Sequence, residues 1–241
     1  MIWTNLDIDK YDLFLVDLWG TVHDGRKLYD AIIDTLEEIK TKGKKIYFFS
    51  NYAKVSDYTF KLLDELGMPR KLYDGIITSG ETFLYDLKKG KFANKKVFNI
   101  VSDYEIDQFG LDVVNSIEEA DLCVLAGNHE GVHLTSFLRL GEAKFKNKPV
   151  LCLNPDICTV KGDKLVPETG LLGKYYELIG GEVIYYGKPH KRIYEYALEV
   201  SGIANKSKVI AIGDNVDTDI KGAKDFGIDS YLVETGIKKR K

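Results

Sequence analysis

The sequence predicts an α/β fold, a doubly wound parallel sheet interrupted by a second, smaller α/β unit. Three observations predict it. Short apolar runs alternate with helix-period patterns along the chain, the signature of β–α–β units. Polar groups that close an apolar run cluster at the two ends of the sequence, Asp17 and Ser50 early, Lys188 and Asp214 late. Between them, roughly 100 residues carry an alternating pattern of their own, which sets an inserted unit between two parts of one sheet.

The first strand is predicted at 13–17, where Leu13-Phe14-Leu15-Val16 runs into Asp17. A helix is predicted at 31–41, with Ile32, Ile33, Leu36 and Ile39 at helical spacing and Gly43 as its stop. A strand at 45–49 leads into Ser50-Asn51, and a helix at 56–66 ends at Gly67. Strand-like runs follow at 96–101, 121–125 and 149–153. Gly162-Asp163 reads as a hairpin turn between 157–161 and 164–166. Gly180-Gly181 then precedes a strand at 183–186, a helix at 191–201 and a strand at 208–212.

Composition narrows the class. At 241 residues with 44% hydrophobic content, the chain can bury a substantial core. A net charge of −3 gives no electrostatic invitation to nucleic acid, and the basic end Lys238-Lys239-Arg240-Lys241 reads as a solvated terminus. Asp7, Asp9, Asp12 and Asp17 occupy the stretch where a secretory signal would need a basic flank and an apolar block. No stretch approaches ~18 uncharged apolar residues, so no membrane span is expected. Cys123, Cys152 and Cys158 form no CxxC and read as reduced thiols. The expectation is a cytoplasmic protein.

Four segments place a polar group at a strand end or helix start: Asp17, Ser50-Asn51, Lys188 in Gly187-Lys188-Pro189, and the loop from Gly213 to Asp219. In an open parallel sheet, ligands bind at the carboxyl ends of the strands. Asp17 and Asp214 brought together would repel unless a cation lay between them, and carboxylate oxygens suit Mg²⁺. Lys188 and the Ser50 hydroxyl would then neutralise and orient a transferring phosphoryl group, with Asp17 as attacking nucleophile forming an aspartyl-phosphate. Each segment alone has a bland reading as a turn or an N-cap; the four together, in order, point to chemistry.

On these motifs the chain resembles the haloacid dehalogenase superfamily, and within it the class IIA, NagD-like phosphatases. The resemblance rests on Asp17-Leu18-Trp19-Gly20-Thr21, Ser50-Asn51, Lys188, and Gly213-Asp214-Asn215-Val216-Asp217-Thr218-Asp219. It extends to Ile77-Thr78-Ser79-Gly80 and Leu153-Asn154-Pro155-Asp156. It implies a Rossmann-like core at 1–79 and 183–241 with a class IIA cap at 80–182. It implies that Asp17 is the nucleophile and that Asp17, the Trp19 carbonyl and Asp214 hold Mg²⁺, with Asp219 in support. Ser50 and Asn51 would hold phosphate, and Asn154 and Asp156 would lie toward the substrate. A cap this large argues for a small phosphorylated metabolite as substrate, and a homodimer paired through the cap follows by resemblance alone.

Trp19 departs from the family pattern. Phosphatases of this superfamily usually carry an aspartate there, which protonates the leaving oxygen. Losing a positioned general acid costs ~10²–10⁴ in rate. Three readings are open: a substitute such as His23, beside Asp24, donates the proton; the substrate has a good leaving group; or the chemistry is halide displacement. Dehalogenases carry an aromatic residue at that place but do not need the acidic cluster at Asp214 and Asp219. A fourth expectation is a weakly active or inactive protein that binds a phosphorylated ligand. His129 and His133 stand at i, i+4 spacing, but no third ligand completes a zinc site, so a surface or packing role is expected.

Overall fold

The computed structural model describes residues 2–101, 106–127, 132–161 and 164–235. In chain order the strands and helices are β1 (Leu13–Val16), α1 (Ile32–Thr41), β2 (Lys45–Ser50), α2 (Ser56–Glu65), β3 (Gly75–Thr78), α3 (Ser79–Lys88) and β4 (Lys96–Asn99). They continue as β5 (Asp112–Val113), β6 (Leu122–Leu125), α4 (Leu134–Phe145), β7 (Val150–Cys152), β8 (Cys158–Lys161), β9 (Lys164–Pro167) and α5 (Thr169–Leu178). The last are β10 (Val183–Tyr185), α6 (Lys191–Ser201), β11 (Val209–Gly213), α7 (Lys221–Phe226) and β12 (Asp229–Leu232).

Two parallel sheets result. The first has the order β12-β11-β1-β2-β3 and joins the two ends of the sequence. All four β1 residues are buried, because helices cover both faces of a doubly wound sheet. Phe14 and Val16 point into one cluster with Ile32, Leu36 and Ile39 of α1. Leu13 and Leu15 point the opposite way, against Ile193, Tyr194 and Ala197 of α6. The period-two alternation of β1 thus feeds two cores at once.

The second sheet has the order β10-β7-β6-β4-β5, and β8 and β9 form a separate antiparallel pair. Its own cluster includes Val97, Cys123, Val124, Leu151 and Leu172, and reaches Ala53 in the loop after β2. The residues of the expected turn at Gly162-Asp163 lie outside the described ones, although the strands on either side pair through Lys161 and Lys164.

One strand is placed differently from the sequence expectation. The run at 183–186 was to open the returning core; instead Val183–Tyr185 pairs with Val150–Cys152 in the second sheet. Hydropathy defines that a segment is a strand but not which sheet takes it, so the crossing back falls after Tyr186 rather than at 183. Cys123, Cys152 and Cys158 form no disulfide among the described residues. Burial pushes Cys123 and Cys152 up to about 12, as inert core thiols require. No helix among the described residues is long and apolar enough to cross a membrane.

Candidate active site

β1 is the central strand of the first sheet, flanked by β2 and β11. From it, connections run outward in both directions, and that reversal opens a crevice at the carboxyl ends. Val16 aligns with Ile212, and the Asp17 N–H donates to the Ile212 carbonyl at 2.8 Å. Asp17 and Asp214, each one residue past its strand, therefore come side by side. Gly20 turns the chain back with φ of +89°, and a Cβ there would run into the Asp214 carboxylate. Only glycine satisfies both conditions.

Asp17 is buried and held at both oxygens. Lys188 Nζ donates to Oδ1 at 2.6 Å, and Thr21 Oγ1 donates to Oδ2 at 3.1 Å. Lys188 spends its other two N–H groups on Asp219 Oδ1 at 2.7 Å and on the Phe49 carbonyl at 2.9 Å. Asp219 is fixed from its other oxygen by the Asn215 N–H at 3.1 Å. Asp17, Asp214 and Asp219 each offer a carboxylate oxygen, and the three oxygens lie within 4.8 Å of one another.

The electrostatics follow from burial. Desolvation pushes the Asp17 carboxyl well above the usual range; Lys188 opposes the shift, and the Asp219 and Asp214 charges add to it. Burial works against the Lys188 charge, yet Asp17 and Asp219 outweigh it and hold the ammonium protonated. One lysine balances one of three buried carboxylates. A compact set of hard oxygen donors with excess negative charge fits a divalent cation such as Mg²⁺.

Asn51 was expected to hold phosphate, and the structure gives its side chain another task. Its Oδ1 accepts from the Lys188 N–H at 2.6 Å, while its Nδ2 donates to the Lys188 carbonyl at 2.9 Å and to Asp156 Oδ1 at 2.9 Å. Both amide hydrogens are spent, so the side chain has none to give an anion. It clamps the Lys188 backbone and ties it to Asp156. Ser50 differs: its Oγ accepts from the Tyr52 N–H at 3.2 Å and donates to none of the described residues.

A cavity of about 360 Å³ adjoins the cluster. Leu18, Trp19, Ala53, Tyr52, Tyr58 and Leu62 give it an apolar wall, while Ser50, Asn51, Asn154, Asp156, Thr159 and Glu168 supply polar groups. The three clustered carboxylates do not line it; it meets them through Leu18, Trp19 and Asn51, their chain neighbours and partners. Thr59 also lines it, and its Oγ1 is buried without a hydrogen-bond partner among the described residues. Asn154 points its Nδ2 to Glu168 Oε2 at 3.3 Å and accepts the Asp156 N–H at 3.1 Å.

His23 shares the cavity but does not suit the proton-donor role expected for it. It is 1% exposed and packs edge-on to Trp19 with ring centroids 5.3 Å apart. Its Nδ1 accepts the Gly25 N–H at 3.0 Å, and burial pushes the imidazole down to about 4. A ring that is neutral through the physiological range is a poor acid at pH 7. Its place is structural, orienting the turn that carries Trp19.

Three contributors have no role that the sequence assigns: Thr21 and Ser79, each inside a recognised motif, and Glu168. Thr21 closes the first motif. Ser79 Oγ lies 3.0 Å from the Asn51 and Tyr52 carbonyls and also contacts the Leu153 carbonyl, binding the loop after β2 to the second unit. Glu168 has no signal of its own in the sequence, because only the packing of α5 brings it to the cavity. His133 precedes α4 as its N-cap residue, away from this cluster; His129 lies outside the described residues.

The fold and site define a doubly wound α/β protein with a carboxylate–lysine centre at the reversal point of its sheet. Comparison with known proteins agrees. Residues 14–110 match the family model described as haloacid dehalogenase-like hydrolase, and 185–241 match one described as HAD-hydrolase-like. A solved hydrolase of the haloacid dehalogenase-like family from Brucella suis 1330 is 32% identical with a TM-score of 0.85, covering 96% of this chain and 91% of that one. The 4-nitrophenylphosphatase of Schizosaccharomyces pombe is 27% identical over 96% of this chain and 86% of its own length. The acid sugar phosphatase of Staphylococcus aureus is 25% identical over 95% and 88%. The chain belongs to the haloacid dehalogenase-like hydrolase family, in its class IIA, NagD-like group.

Proposed function

We propose that this chain is a Mg²⁺-dependent phosphatase of small phosphorylated metabolites that works through an aspartyl-phosphate on Asp17. The observation that carries the reading is the buried Asp17 carboxylate, held by Lys188 and Thr21 beside Asp214 and Asp219. Asp17, Asp214 and the Trp19 carbonyl would hold the metal, with Asp219 in support. Bound there, Mg²⁺ would offset the charge of the phosphoryl oxygens.

The protein's own groups do the rest. Lys188 fixes the carboxylate of Asp17 so that its lone pairs face one direction, which removes orientational entropy from the attack. The Ser50 hydroxyl, with its proton uncommitted, donates to a phosphoryl oxygen. Residues 80–182, which carry most of the second sheet, act as the cap: they bring Asn154, Asp156 and Glu168 over the crevice and exclude bulk water.

The walls bear on the substrate. Trp19, Tyr52, Tyr58, Leu18 and Leu62 suit a flat or apolar leaving group. The names of the relatives, a nitrophenyl phosphatase and a sugar phosphatase, and the acidic cluster both favour phosphate esters over halide displacement. The test is phosphate release from 4-nitrophenyl phosphate and a panel of alkyl phosphates, with Mg²⁺ and with chelator. Mg²⁺-dependent release is expected. No release from any ester, or release indifferent to chelation, would contradict the reading.

A further inference from the structure

The structure shows where a proton could come from now that Trp19 stands where a carboxyl was expected. The donor must share the cavity with Trp19, be held rigidly, and carry a proton when a phosphate ester is bound. One imidazole and two carboxyl groups among the described residues line that cavity: His23, Asp156 and Glu168. His23 is neutral, with Nδ1 already accepting from Gly25. Glu168 Oε2 accepts from the Asn154 amide, whereas Asp156 Oδ1 accepts from Asn51, which also clamps the Lys188 backbone. Asp156 is therefore the carboxyl tied to the centre that holds Asp17.

Asp156 is fixed from three sides. Its N–H donates to Asn154 Oδ1 at 3.1 Å, its carbonyl accepts from the Gly170 N–H at 3.0 Å, and its Oδ1 accepts from Asn51 Nδ2 at 2.9 Å. Gly170 permits this approach: a Cβ there would collide with the carbonyls of Pro155 and Asp156. Oδ2 takes no hydrogen bond from the described residues. An amide N–H on Oδ1 leaves the carboxyl proton to sit on Oδ2. The same Asn51 clamps the Lys188 backbone, and Lys188 holds Asp17, so the two carboxyl groups are linked through a single chain of contacts.

Resting on the phosphatase reading above, we propose that Asp156 donates the proton to the oxygen leaving phosphorus, supplied from the second unit in place of the carboxyl that Trp19 lacks. Asp17 attacks phosphorus, the bond from phosphorus to the bridging oxygen breaks, and that oxygen takes the Asp156 proton and departs as the alcohol. The products are the Asp17 acyl phosphate, the free alcohol and the Asp156 carboxylate. Burial raises the Asp156 carboxyl above its ordinary range, with Lys188 and Asn51 opposing and Asp219 adding. A phosphate dianion arriving beside it raises it further. An ionised Asp156 would repel the substrate, so a proton-donating role also accounts for an acid in a phosphate-binding cavity.

The experiment is single-turnover release of the leaving alcohol, in Mg²⁺, by the native chain and by Asp156→Asn, from an alkyl phosphate and from 4-nitrophenyl phosphate. Asn keeps the oxygen that Asn51 contacts but carries no acidic proton. Alkyl release is expected to fall by ~10²–10⁴ while aryl release falls by less than ~10-fold, because nitrophenolate departs without a proton. Asp156→Glu is expected to recover part of the alkyl rate. Equal losses on both esters, or undiminished alkyl release, would overturn the assignment. A native chain that releases neither alcohol defeats the phosphatase reading itself. Should Asp156→Asn fail to fold, the native chain decides: a shallow dependence of rate on leaving-group acidity supports the donor, and a steep one overturns it.

Discussion

Asp17 and Trp19 stand two residues apart on the same turn and meet opposite surroundings. Asp17 is clamped at both oxygens by Lys188 and Thr21, inside a knot in which every Lys188 N–H is spent. Trp19 is half-buried against His23 and forms part of a cavity wall shared with Tyr52, from the loop after β2, and Tyr58, from α2. The first environment is polar, saturated and rigid; the second is mostly apolar, with a few uncommitted polar atoms. In the proposed function the floor holds the attacking carboxylate and the wall meets the leaving group. A change at Trp19 can therefore redirect the substrate without dismantling the nucleophile.

Three substitutions separate the two. Lys188→Met would strand Asp17 and Asp219 as buried acids without their cation. It should lower unfolding free energy by about 3–5 kcal/mol in denaturant titrations and abolish turnover. A loss under about 1 kcal/mol would mean that the knot is not what stabilises the floor. Gly20→Ala forces both a strained φ and a clash with Asp214. It should cost ~10² in kcat by displacing a carboxylate of the floor, since misplacement on the order of 1 Å carries that penalty. The smallest effect belongs to the wall. Trp19→Ala should raise KM for 4-nitrophenyl phosphate by up to ~10-fold, about 1.4 kcal/mol of lost aromatic contact, with less effect on alkyl phosphates. A parallel loss on both substrates would remove Trp19 from the leaving-group wall.

The floor was legible in the sequence because each of its members ends an apolar run. Asp17, Lys188 and Asp214 announce themselves by position, and parallel pairing brings them together. Thr21 was visible inside the first motif, but nothing in the sequence shows a hydroxyl turned back on the nucleophile. The cavity was less legible. Tyr52, Tyr58 and Glu168 reach it from three separate elements, and local patterning says nothing about such convergence. Asn51 shows a different limit: its place was foreseen, but only coordinates reveal that both side-chain amide hydrogens are taken. The edge strands β3 and β12 are not marked in the sequence because Gly75–Thr78 and Asp229–Leu232 hold only two apolar residues each, short of the apolar runs that mark β1 and β6. Val183–Tyr185 was read as a strand and assigned to the wrong sheet, because strand character is local and sheet membership is not.

The proposed function stands on covalent phosphorylation of Asp17 during turnover. It is tested most directly by rapid acid quench of the native chain with 4-nitrophenyl phosphate and Mg²⁺, followed by peptide mass spectrometry. A phosphoryl adduct is expected on the peptide carrying Asp17, formed as fast as the nitrophenol burst and absent from Asp17→Asn, whose turnover should fall by ~10⁴ or more. Steady turnover with no adduct, in a chain that keeps its activity as Asp17→Asn, would contradict it.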